Sequence, residues 1–288
     1  MPVALTTDGV QVAYDDLGGD GELLLFAHAT GFHGQVWRPI AAELADAFHA
    51  YTFDERGHGD TPPSPDGQSW LGFARDALAV VDAMRTDADG DDDVDGRPFA
   101  VGHSAGGAAL LLAELERPGT FRSIWCFEPI LPPSPPPGTT FPSNANPLAG
   151  GARRRREVFP SKDAAYDNYA GKPPFSALAP AALRAYVDHG FTDLDDGTVR
   201  LKCRGEVEAQ TYEMATHHGA GERLAEITCP VTFASGGRTD TPFGDTLLRR
   251  LAADLPDGRV EVFEDLGHFG PLQDPVTIAA SIRRSFSS

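Results

Sequence analysis

Phe99-Ala100-Val101-Gly102-His103-Ser104-Ala105-Gly106-Gly107 is the stretch that decides the fold. A short apolar run ends in Gly-x-Ser-x-Gly and passes straight into Ala109-Leu110-Leu111-Leu112-Ala113-Glu114-Leu115, which reads as a helix. The pattern is strand, sharp turn, helix, with a serine at the apex. So tight a turn strains the serine backbone, and side chains at Gly102 or Gly106 would collide with the neighbouring strand and helix. The Ser104 hydroxyl is thereby held clear of the sheet at a helix N-terminus, where the dipole favours developing negative charge. A phosphate-binding or purely structural turn has the same local pattern, so the flanking chain has to decide.

Toward the N-terminus, runs 3–6 and 10–14 flank Asp8-Gly9 and predict a hairpin. Glu22-Leu23-Leu24-Leu25-Phe26-Ala27 is a continuous apolar run, the mark of a strand buried on both faces. It stops at His28-Ala29-Thr30-Gly31-Phe32-His33-Gly34, and Trp37, Ile40, Leu44 and Phe48 then recur at helical spacing. Strand Ala50-Tyr51-Thr52-Phe53 leads into the glycine-rich loop Asp54-Glu55-Arg56-Gly57-His58-Gly59-Asp60. A helix over 70–84 follows, then an acidic stretch, 87–95, whose like charges predict a solvated loop.

Toward the C-terminus, strand Ile124-Trp125-Cys126-Phe127 is followed by Pro132-Pro133-Ser134-Pro135-Pro136-Pro137-Gly138, which can form neither a helix nor an inner strand. A polar, helix-like segment comes next. Strand–helix alternation resumes with strand 231–234, helix 246–253, strand 260–263 and a terminal helix over 275–286. Alternation of this kind implies a mostly parallel, doubly wound α/β sheet covered on both sides. The predicted organisation is a core of 1–129 and 217–288, interrupted by a helical insertion over 130–216. The chain has no internal repeat.

The 288 residues are 41% hydrophobic, and no run approaches membrane-spanning length. The opening Met1-Pro2-Val3-Ala4-Leu5-Thr6-Thr7-Asp8 has no basic segment before an apolar one, so no signal peptide and a cytoplasmic location are expected. Cys126, Cys203 and Cys229 are too few and too scattered for a disulfide framework or zinc site. The net charge of −18 predicts a surface that repels nucleic acid and anionic membranes. Lysine is scarce, which fits salt adaptation and a GC-rich genome equally. Oligomeric state leaves no signature.

Reactive groups in an open parallel sheet gather at the carboxyl ends of the strands. Those ends carry His28-Ala29-Thr30-Gly31, then Ser104, then Ser235-Gly236-Gly237-Arg238-Thr239-Asp240, then Leu266-Gly267-His268-Phe269. The order Ser, Asp, His, each just past a strand, resembles the α/β-hydrolase family. The elbow 102–106, the loop 54–59, the turn 237–240 and Gly267-His268 all take part, so the resemblance covers almost the whole chain. It implies an α/β-hydrolase fold with a helical cap in the insertion.

It also implies roles. Ser104 would be the nucleophile, His268 the general base and then acid, and Asp240 the carboxylate that fixes the imidazole tautomer. Glu128, at the end of strand 124–127, competes with Asp240 and is disfavoured because Pro129 follows it. The oxyanion donors would be the amides of Ala105 and Thr30. Ala29 stands where the family usually has glycine, which leaves Gly31 as an alternative to Thr30. His28 would orient this loop, and Arg56 would form a structural ion pair. Trp37, Phe32, His103 and Phe269 are the expected substrate-binding residues, joined from the cap by Tyr166, Phe175 and Phe191.

Neither a metal nor a cofactor is expected, since His217-His218 has no carboxylate or cysteine cluster beside it. Arg153-Arg154-Arg155-Arg156 would circle a helix and read as a solvated surface, with contact to an anionic substrate the alternative. The expected reaction is serine hydrolysis of a small-molecule carboxylic ester or lactone through an acyl-enzyme. The alternatives are hydrolysis of a carbon–carbon bond in a diketone-type substrate with the same triad, and a non-catalytic ligand-binding homologue.

Overall fold

The computed structural model describes residues 1–87, 96–132, 146–214, 218–240 and 244–287. Acidic residues 88–95, most of the proline-rich stretch (133–138) and His217 lie outside the described residues. The strands are β1 (Val3–Leu5), β2 (Gln11–Gly18), β3 (Glu22–Ala27), β4 (Phe48–Phe53), β5 (Phe99–His103), β6 (Ile124–Phe127), β7 (Val158–Phe159), β8 (Phe191–Asp193), β9 (Val199–Leu201), β10 (Val231–Gly236) and β11 (Gly258–Phe263). Eight of them form one sheet in the order β1-β2-β4-β3-β5-β6-β10-β11. From β4 to β11 the pairings are parallel, while β1–β2 and β2–β4 are antiparallel.

The continuous apolar run of β3 is explained by its place in the middle of this sheet. Leu25 and Ala27 pack into one hydrophobic cluster and Leu24 and Phe26 into the other, all fully buried. Successive strand side chains point to opposite faces. The first face is covered by α2 (Trp70–Asp87), α3 (Ala105–Glu116) and α8 (Asp245–Ala252). The second is covered by α1 (Arg38–Leu44) and α10 (Pro275–Phe286). Burying each such Leu or Phe side chain stabilises the fold by about 1.5–3 kcal/mol.

Two local expectations are corrected. Phe48 does not continue the α1 stripe but opens β4, its ring edge-on to Phe99 at 5.6 Å. The segment between β6 and β10 is not helical throughout. It holds α4 (Pro147–Arg153), α5 (Lys162–Ala170), α6 (Pro180–Gly190) and α7 (Gly205–Met214), together with a three-stranded antiparallel sheet, β7-β9-β8. A short helix, α9 (Gly270–Gln273), sits between the His268 loop and α10.

Candidate active site

The β5–α3 turn is built as its glycines require. A Cβ on Gly106 would lie 2.5 Å from the Ala27 carbonyl, and one on Gly102 would lie 2.6 Å from Gly107 Cα. Ser104 between them has φ 55° and ψ −112°, a conformation that costs about 1–3 kcal/mol. Glu128 is the other described non-glycine residue with positive φ, at 44°. Both strained residues lie just past central strands, side by side in the sheet.

Glu128 faces three donors. Its Oε2 accepts from His268 Nδ1 at 2.6 Å. Its Oε1 accepts from the Gly236 amide at 2.9 Å and from the Thr239 hydroxyl at 2.5 Å. The carboxylate is fully buried, whereas the His268 side chain keeps 22% of its exposure. With Nδ1 donating to the carboxylate, Nε2 is the nitrogen left to exchange a proton at the site. The neighbouring His103 holds the same loop in place, its Nε2 donating to the His268 carbonyl at 2.8 Å. Burial drives the His103 imidazole well below its usual range, with the nearby His268 adding to the effect, so it stays neutral.

The loop after β3 packs on the elbow. The Gly106 amide donates to the His28 carbonyl at 3.0 Å. His28 Nε2 accepts the Glu55 amide at 3.0 Å, which leaves the proton on Nδ1, donated to the Ala29 carbonyl at 2.8 Å. Burial lowers the His28 pKa to about 3, so the ring is a neutral brace. The Phe32 amide closes a turn on the Ala29 carbonyl at 3.1 Å, with Gly31 at φ 80°. The positive φ falls on Gly31, which is why alanine is tolerated at position 29. Ala105 opens α3, and the amide of a first helical residue has no acceptor within its own helix.

The glycine-rich loop supports this arrangement from behind. Asp54 accepts the Gly34 amide at 2.8 Å and the Asp60 amide at 2.7 Å. Arg56, fully buried, is clamped by Asp76 at 2.7 Å and Asp8 at 2.9 Å, the structural ion pair that the sequence suggests.

The sequence profile of the alpha/beta hydrolase family matches residues 24–281. The chain belongs to that family. Non-heme chloroperoxidase CPO-A1 of Kitasatospora aureofaciens is 26% identical to it, over 93% of this chain and 92% of that protein. Among solved structures, E-2-(acetamidomethylene)succinate hydrolase superposes with a TM-score of 0.79 at 22% identity, over 99% of each chain. The enol-lactonase from Burkholderia xenovorans superposes with a TM-score of 0.71 at 18% identity, over the full length of both. This α/β-hydrolase is an enzyme, and no described helix is long and apolar enough to cross a membrane.

Not every expected site residue lies where the family pattern suggests. The assignment of Asp240 as partner of His268 is overturned, because Glu128 holds that place. Asp240 is exposed and bonds to no described residue. The turn that usually delivers the acid is retained, but its Gly236 amide and Thr239 hydroxyl are spent on Glu128. Trp37 is also corrected. It is 1% exposed and stacks on Phe26 at 4.9 Å, so it belongs to the core. A 3-10 turn over Gly34–Trp37 rotates it inward.

Phe32 and Phe269 remain beside the site, their rings 5.6 Å apart, with Phe269 5.3 Å from His268. From the insertion, Phe175 reaches Phe32 at 5.7 Å. Phe191 instead packs on Phe159 at 5.8 Å within the insertion, and Tyr166 lies under the Arg184 guanidinium at 4.2 Å. The sequence carried a signal for the burial of Glu128 but none for its pairing with His268. A carboxylate ending a wholly apolar inner strand is carried into the interior, where converging donors offset the cost of keeping it charged.

Proposed function

We propose that this α/β-hydrolase cleaves a carboxylic ester or lactone through an acyl-enzyme on Ser104, His268 and Glu128. The observation that carries the reading is the His268 Nδ1–Glu128 hydrogen bond beside a strained elbow serine. A serine hydroxyl is a weak nucleophile at neutral pH and needs a base. His268 Nε2 takes the Ser104 proton as Oγ attacks the substrate carbonyl carbon, and Glu128 stabilises the resulting imidazolium. The Ala105 amide and an amide of the Thr30–Gly31 turn receive the oxyanion, each worth about 3 kcal/mol. Collapse expels the alcohol, which takes its proton from His268. Water then repeats the sequence and releases the acid. The enol-lactonase and succinate-derivative hydrolase among the structural neighbours support this class of reaction. In this reading the insertion is the cap that selects substrate.

The test is labelling by a fluorophosphonate together with turnover of simple aryl esters. One label per chain on Ser104, with loss of aryl esterase activity in proportion, is the expected result. A Ser104→Ala protein that still takes up one label would show the nucleophile to be elsewhere.

A further inference from the structure

One arginine of the run 153–156 behaves unlike the rest. Arg153, Arg154 and Arg156 are exposed, and Arg153 pairs at the surface with Glu206 at 2.8 Å and Glu213 at 2.7 Å. Arg155 turns inward, its side chain 17% exposed, to a point where α5, α6 and α7 converge. It forms an ion pair with Glu208 of α7 through Nη1. Nη2 donates to the Tyr186 hydroxyl at 2.6 Å and to the Tyr169 hydroxyl at 3.3 Å. This group sits on the oxyanion turn itself. A Cβ on Gly31 would lie 2.8 Å from Glu208 Oε1 and 3.4 Å from Arg155 Nη1. The next residue, Phe32, packs on Tyr186 at 5.1 Å.

The cluster is rich in donors and poor in acceptors. Tyr169 and Tyr186 accept from Arg155, and neither phenol proton has an acceptor among the described residues. The guanidinium carries five N–H donors, and three are engaged here. The one carboxylate present, Glu208, already receives Tyr212 at 3.4 Å through its other oxygen. Unspent O–H and N–H donors around a half-buried cation call for an acceptor that brings negative charge, and guanidinium geometry suits a carboxylate.

We infer that Arg155, with Tyr169 and Tyr186, recognises a carboxylate carried by the substrate on the oxyanion-turn side of the scissile carbonyl. The inference rests on the hydrolase reading above and narrows its substrate class to acidic esters or lactones. Glu208 holds the guanidinium in place and opposes the incoming anion by like charge. The two partners of one ion pair therefore act in opposite directions. A simple latch between insertion and core would lose by removal of either.

The experiment compares kcat/KM for mono-4-nitrophenyl glutarate and 4-nitrophenyl pentanoate, which differ by a carboxylate in place of a methyl. The wild-type protein should favour the glutarate ester. Arg155→Gln should cut that preference about 30-fold, mainly through KM, the effect of losing a charged hydrogen-bonding partner. Tyr186→Phe, which leaves the ion pair intact, should cut it about 5-fold and serves if Arg155→Gln fails to fold. Glu208→Gln should raise it. Equal loss on both esters in the Arg155 and Glu208 variants would overturn the inference.

Protection of Ser104 from fluorophosphonate by free glutarate separates the two readings. Protection in the wild type that Tyr186→Phe weakens supports the anion site even where neither ester is turned over. Absence of protection together with indifference to the ester's charge overturns the site while the hydrolase reading stands.

Discussion

Two glutamates stand just past inner strands with their side chains closed to solvent, Glu55 after β4 and Glu128 after β6. Residue type, burial and position at the carboxyl edge of the sheet are shared. Their surroundings are opposite. Glu128 accepts from Gly236, Thr239 and His268, while neither carboxyl oxygen of Glu55 has a partner among the described residues. Burial, with the Asp76 carboxylate adding to it, pushes the Glu55 pKa well above the ordinary value. Burial alone therefore does not hold a carboxylate ready in its charged form. Converging donors do, because they keep the group in one orientation and offset the cost of removing it from water.

The largest effect should come from breaking the Glu128 side of this comparison. Glu128→Gln would present an amide N–H to His268 Nδ1 and so hold the imidazole in the tautomer whose Nε2 already carries a proton. Expected is a fall in kcat of about 10⁴-fold on an aryl ester, with KM little changed. A loss below about 10-fold would show that another group serves His268. Thr239→Val removes one donor of three and leaves the fold of the turn to Gly236. It should lower kcat about 5- to 10-fold, the scale of one hydrogen bond to a charged group, and Thr239→Ser should restore it. An inert Thr239→Val with a Glu128→Gln that is dead would mean that the Gly236 amide suffices.

The mostly parallel sheet and the elbow were legible because buried parallel strands are continuous apolar runs and the tight turn demands glycine. Gly102, Gly106 and the terminal helix α10 fall where spacing puts them. The choice between Glu128 and Asp240 was not legible, because it depends on pairing across the sheet. β10 lies between β6 and β11, with Phe127 level with Ala234 and Gly236 level with Phe263. Both residues therefore follow strands that end at the same edge of the sheet as β11, which leads to His268. Which one turns inward depends on the left-handed φ of Glu128, a single backbone angle with no sequence signature. The strands β7, β8 and β9 were missed because two or three residues cannot display a period. The inward turn of Arg155 was missed because four consecutive arginines look alike in sequence.

Glu55→Gln addresses the other side of the comparison and is read in stability rather than rate. A carboxyl whose folded pKa is raised binds a proton in the native state that the unfolded chain has already lost. Its contribution is complete below the unfolded value, about 4.3, and is lost as pH rises toward the folded pKa, at up to about 1.4 kcal/mol per pH unit. The glutamine has no such proton to lose. The stability of Glu55→Gln relative to the wild-type protein should therefore improve as pH rises from about 4.5, read by chemical denaturation across a pH series. Aryl esterase kcat should change less than 3-fold. A difference independent of pH would show that Glu55 is ionised and solvated after all.

The smallest effect is expected at Asp240, and its smallness is informative. This residue occupies the place that the chain order Ser, Asp, His assigns to the acid, yet it lies exposed one residue beyond the Thr239 that serves Glu128. An exposed carboxylate with no described partner has its charge solvated by water and screened further by salt. Asp240→Asn keeps the size of the side chain and the turn, so kcat on an aryl ester should stay within about 2-fold of wild type, and Tm within about 1 °C. Glu128→Gln and Asp240→Asn, measured side by side on one substrate, thus differ by more than three orders of magnitude if the carboxylate held by donors is the one that works. Comparable losses in the two would mean that the acid is shared between strand ends. A large loss in Asp240→Asn alone would mean that the turn after β10 rearranges to deliver Asp240 when substrate binds, at the expense of the Thr239–Glu128 hydrogen bond. In that event Thr239→Val would raise activity rather than lower it, which sets the two arrangements apart within the same set of variants.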